Sequence, residues 1–187
     1  MHKINLKPMP EIDYEKVTRF NQGVFGNPVF KINGVYIPKK NDYNSISKKI
    51  IHSVFQFKKQ FLVEMDDFSI VFKQGQKQTR ELWTNNIKYI QVGVLPMLIA
   101  NRGVNVYKYV ITFRTSNIEY HQSCDWFETL GELKKYCDQN RIDFEDPFEL
   151  LQFPDHFKAF EYLNKNHTFE KIAEEYNYPT SYAKKAF

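Results

Sequence analysis

Cysteine is scarce in this sequence: only Cys124 and Cys137 occur among 187 residues. Two thiols without paired ligand spacing make neither a disulfide framework nor a zinc knuckle. Long apolar runs are missing as well. The longest uncharged one, residues 92–100, contains Gly93 and Pro96 and is about half the length needed to cross a bilayer. Gly23-Val24-Phe25-Gly26 has the wrong spacing for a phosphate-binding loop. The first ten residues carry His2, Lys3 and Lys7 but no apolar stretch, so no export signal is expected and the expected compartment is the cytoplasm.

What is present is a folding composition, with 42% hydrophobic and 26% charged residues. Charge is uneven along the chain. Residues 1–60 hold eleven basic against four acidic side chains, and residues 121–187 hold eight against thirteen. The two ends attract each other within the fold or steer an anionic partner to one face. Within the basic third, Lys39, Lys40, Lys48, Lys49, Lys58 and Lys59 alternate with Tyr36, Tyr43, Phe55, Phe57 and Phe61. This mixture is a candidate anion-binding surface; its plainer reading is solvated lysines beside core aromatics.

The coarse pattern runs from strands to helices. Residues 1–28 are an irregular lead-in with at most one short helix. Asn33-Gly34 between Val29-Phe30-Lys31-Ile32 and Val35-Tyr36-Ile37 predicts a hairpin. Residues 46–60 fit a helix or a strand equally. Strands are predicted at 61–65 and 68–72 about an Asp66-Asp67 turn, then at 79–83, 87–92, 104–113 and 118–122. Thr129 and Glu132 have capping-box spacing, and Trp126, Leu130, Leu133 and Cys137 lie on one helical face ending near Asn140. The expected fold is α+β, an antiparallel sheet closed by one amphipathic helix.

The order of these elements over residues 61–144 resembles the pleckstrin-homology-like domains of bacterial proteins. The resemblance implies a bent antiparallel sheet capped by the helix, within a β-rich domain at 29–145, and a role in binding lipids, peptides or proteins.

A small helical extension is expected at 146–187. Asp146-Pro147-Phe148-Glu149 has the pattern of a helix start, Pro154 restarts the helix, and Phe157, Phe160 and Leu163 form an apolar face. Residues 162–187 resemble the first helix-turn-helix of AraC-type regulators. Ala173 matches the small residue where the helices touch, and Ser181, Tyr182, Lys184 and Lys185 match the recognition helix. The resemblance implies DNA binding as an alternative function. Against it, residues 166–187 contain three lysines and three glutamates, no excess of positive charge for phosphates.

Catalytic chemistry is not expected. His121, Cys124, Cys137 and His156 have the residue types of a zinc site but not the spacing, and Cys137 belongs to the apolar helix face. Cys124 with His121, and Asp66 with Asp67, do not make convergent sites. The expectation is therefore a noncatalytic binding, scaffold or regulatory module for a protein or an anionic ligand. It needs no cofactor or metal, and homo-oligomerisation is compatible with it.

Overall fold

The computed structural model describes residues 29–37, 61–74, 77–98, 105–117, 119–124, 126–176 and 178. The lead-in, the segment 46–60 and the turn at 101–103 lie outside the described residues. The predicted hairpin forms: β1 (Val29–Ile32) pairs antiparallel with β2 (Val35–Ile37), and Asn33 and Gly34 have φ of 48° and 82°. Positive φ at both turn residues gives the twist that matches the flanking strands, which asparagine and glycine tolerate.

Strands β3 (Phe61–Met65), β4 (Ser69–Gln74) and β5 (Lys77–Trp83) form an antiparallel meander. Asp66 does what a turn aspartate does, its Oδ1 accepting the N–H groups of Phe68 and Ser69 at 2.8 Å each. A 3₁₀ turn at Thr84–Asn86 leads into β6 (Ile87–Leu98), β7 (Asn105–Thr115) and β8 (Glu119–Cys124). Helix α1 (Glu128–Asn140) follows, then β9 (Asp143–Glu145).

The α+β class is as expected, but the described strands make two sheets rather than one. Their orders are β2-β1-β3-β4-β5 and β8-β7-β6-β9. Each contains one parallel pair, β1 with β3 and β6 with β9, where a purely antiparallel arrangement was expected. Alternation of side chains identifies a strand but says nothing about which distant strand lies beside it.

The sheets face each other through their apolar sides. Phe30, Val63, Met65, Ile70 and Phe72 from the first, and Ile90, Val92, Ile111 and Phe113 from the second, are buried in one core. The Phe72 ring meets Phe113 edge-on at 5.6 Å and Tyr120 at 4.3 Å. Helix α1 closes one end, with Leu130, Leu133, Tyr136 and Cys137 fully buried. Its Tyr136 hydroxyl donates to the Asp66 carbonyl at 2.8 Å, and Gln139 Oε1 accepts from Asn33 Nδ2 at 2.8 Å. The expected capping box does not form. The helix begins at Glu128 after Phe127, which leaves Thr129 inside the first turn with a buried hydroxyl that has no partner among the described residues. Arg141, in left-handed backbone, ends the helix.

The tail also departs from expectation at its start. Asp146 does not open a helix; its Oδ2 accepts the Leu151 N–H at 2.8 Å, and Glu149 (φ 54°) turns the chain into a 3₁₀ turn at Leu150–Gln152. Helix α2 (His156–Asn164) is capped by Asp155, and positive φ at Asn166 and His167 separates it from α3 (Thr168–Glu175). Ala159 and Leu163 are the buried face of α2, Phe160 is half-buried, and Phe157 is 72% exposed. No helix among the described residues is long and apolar enough to cross a membrane.

Aromatic contacts fasten the tail to the second sheet. Phe160 lies 5.4 Å from Tyr107 and 5.8 Å from Tyr109, while Phe169 lies 5.3 Å from Tyr107. Tyr178 lies directly over Gly93 of β6, where an added Cβ would fall 2.8 Å from the tyrosine Cε2. Gly93→Ala is expected to push Tyr178 aside and destabilise the tail by roughly 1–3 kcal/mol. Hydrogen exchange in α3 should rise in that variant, while exchange in β3 and β4 stays as in the wild type.

Candidate functional site

The anion-binding candidates Lys39, Lys40, Lys48, Lys49, Lys58 and Lys59 lie outside the described residues, as do Ser181, Tyr182, Lys184 and Lys185 of the helix-turn-helix reading. Ala173 is described and is fully buried in α3. Among the described residues no three His, Cys, Asp or Glu side chains converge to hold a metal. Cys124 is buried, its Sγ accepting the Trp126 N–H at 3.4 Å. Burial, with Asp138 nearby, pushes the Cys137 thiol up to about 12, so it stays protonated and unreactive.

His121 belongs to a different group, assembled by strand register across the second sheet. One row runs Glu145, Gln91, Thr112 and His121, and the next on the same face runs Asp143, Tyr89, Arg114 and Glu119. Thr112 Oγ1 and His121 Nδ1 are 2.9 Å apart, and His121 Nε2 lies 3.8 Å from Glu119 Oε2. Arg114 pairs with the other oxygen of Glu119. Burial, and then the Arg114 charge, hold the imidazole down at about 4, so it is neutral at pH 7.

Hydroxyl, imidazole and carboxylate in this order share the connectivity of a nucleophile relay, yet Thr112 sits in mid-strand with 3% exposure. A hydroxyl enclosed in that way meets no substrate, so these groups serve one another. Gln91 is the least satisfied member, 1% exposed with neither amide atom hydrogen-bonded among the described residues. A buried amide without partners costs about 1–3 kcal/mol. Gln91→Met is therefore expected to be neutral or to stabilise the fold by about 1 kcal/mol, as read by urea denaturation. A loss of stability would show that the amide is satisfied in solution.

The remaining candidate is a surface feature. Phe68 is 77% exposed and Trp83 56% exposed. Both leave the end of the first sheet that α1 closes: Trp83 is paired with Ser69, and the carbonyl of Phe68 accepts the Thr84 N–H at 2.9 Å. Neither ring has a ring partner among the described residues. Their backbones are held firmly, since Asp66 ties the turn and Thr84 and Tyr136 share a 2.9 Å hydrogen bond beneath it.

The sequence placed Phe68 and Trp83 on strands but not in solvent. The signal was available in β5, where burying Leu82 turns Glu81 and Trp83 to the other face. Compared with protein-family models, curated proteins and solved structures, the chain has no significant match.

Proposed function

We propose that the chain is a noncatalytic binding module of pleckstrin-homology-like build that recognises a protein partner through the surface around Phe68 and Trp83. The observation that carries the reading is the exposure of these two large aromatic side chains on a backbone fixed by hydrogen bonds. Such residues are costly to leave in water and are the common anchors of interfaces, because they contribute area with few rotamers to freeze. The pairing of two sheets closed at one end by α1 supports the pleckstrin-homology-like description. The absence of a convergent nucleophile, base and electrophile among the described residues supports a binding role over a catalytic one.

The anionic-ligand reading depends on the six lysines, and the DNA-binding reading on Ser181, Tyr182, Lys184 and Lys185, all outside the described residues. The contacts of Phe160, Phe169 and Tyr178 with the second sheet support a packing role for the part of the tail that precedes them.

Phe68→Ser with Trp83→Ser is expected to leave stability within about 0.5 kcal/mol of the wild type, since neither ring is buried. The same pair should weaken binding to a purified partner at least about tenfold. Partners taken from native extract by the wild type and quantified by mass spectrometry supply the material for that titration. Equal affinity of the two proteins would refute the assignment.

A further inference from the structure

Away from the exposed aromatics, the described cations of the first sheet outnumber its carboxylates: Lys73 and Lys31 share Glu64, and Arg80 lies over the Tyr120 ring at 5.0 Å. Glu64 of β3 pairs with Lys31 of β1 and Lys73 of β4, which hold its carboxyl below the usual range. Around the two exposed aromatics the balance is different. Asp66 and Asp67 form the turn before Phe68, and Glu81 stands two residues from Trp83 on the same face of β5. Asp66 spends one oxygen on backbone N–H groups, and among the described residues Glu81 accepts from Gln78 alone, at 3.2 Å. None of the three carboxylates has an ion-pair partner among the described residues. Arg80, three residues before Trp83, pairs with Phe72 on the opposite face of β5 and lies over the Tyr120 ring, and Lys88 is the next cation after Trp83.

We infer that this surface recognises a basic segment of the protein partner, seating an arginine or lysine over the exposed face of the Trp83 indole with Asp67 and Glu81 as counter-charges. An indole face attracts a cation through its quadrupole, and flanking carboxylates add to that attraction and steer the approach. An acidic segment meets repulsion at the same place. The inference rests on the proposed role of Phe68 and Trp83 and adds the chemistry of what they bind.

The test is a random-peptide display selection on the full chain, with the enriched peptides synthesised and titrated. Enrichment of arginine or lysine is expected. Affinity should fall about tenfold in Trp83→Ala and comparably in the Asp67→Lys, Glu81→Lys double variant, and should weaken as salt is raised. Circular dichroism confirms that each variant is folded. Uncharged or acidic peptides whose binding is lost in Trp83→Ala would overturn the charge inference while leaving the aromatic surface in place. Peptides indifferent to Trp83→Ala, or no enrichment at all, would overturn both.

Discussion

Phe148→Ala is expected to lower stability by roughly 3–5 kcal/mol, the range for removing a fully buried phenylalanine. The ring is inaccessible to solvent, stacks on Phe169 of α3 at 5.6 Å and meets Tyr178 edge-on at 4.9 Å. It is therefore the point at which the chain leaving β9, the helix α3 and the residue covering Gly93 come together. Removing it leaves a cavity that Phe169 and Tyr178 cannot both fill without giving up their places against Tyr107 and β6. Urea denaturation gives the loss of free energy. Hydrogen exchange tells whether α2 and α3 come away first, in which case their amides exchange faster than those of β6 and β7.

The second large effect is on pH dependence. His121 titrates at about 4 in the folded chain against a reference value of 6.5, so the unfolded chain binds the proton more readily. Its contribution is fully present above pH 6.5 and is lost as pH falls from there through 4, amounting to about 3 kcal/mol. Asp146 acts in the opposite sense, because burial raises its carboxyl and its cost is relieved as pH falls. Comparing the wild type with His121→Gln isolates the histidine. The difference in stability between the two proteins should change by about 3 kcal/mol across that window. A constant difference from pH 7 to pH 4 would mean that the imidazole is already solvated.

Local chemistry made much of this fold legible in the sequence. Asn33-Gly34 fixed a hairpin because few other pairs accept positive φ twice, and Leu130, Leu133 and Cys137 identified the buried face of α1 by period alone. What failed depended on partners far along the chain. Val29 beside Leu62, and Tyr89 beside Asp143, are parallel neighbours that no short window contains. Asp146-Pro147 has the residues of a helix start, but the Asp146 carboxylate is taken by the Leu151 N–H and the chain turns instead.

The candidate site was harder to read than the fold. Thr112, His121 and Gln91 come together through register, and only their separate polarity was visible beforehand. Phe68 and Trp83 look like core residues by type, and the alternation of β5 around Leu82 was the only hint that Trp83 faces water.

The parallel pairing of β6 with β9 bears on how the chain reaches this fold. Strand β9 has only three residues, and it can reach β6 only after β7, β8 and α1 have been placed between them in sequence. Closing so long an intervening stretch for so short a strand carries a loop-entropy cost repaid late, and contacts distant in sequence slow folding. Since Phe148 follows β9 by three residues, the tail inherits this order. The two-sheet body should acquire protection in pulsed hydrogen exchange before α2 and α3 do.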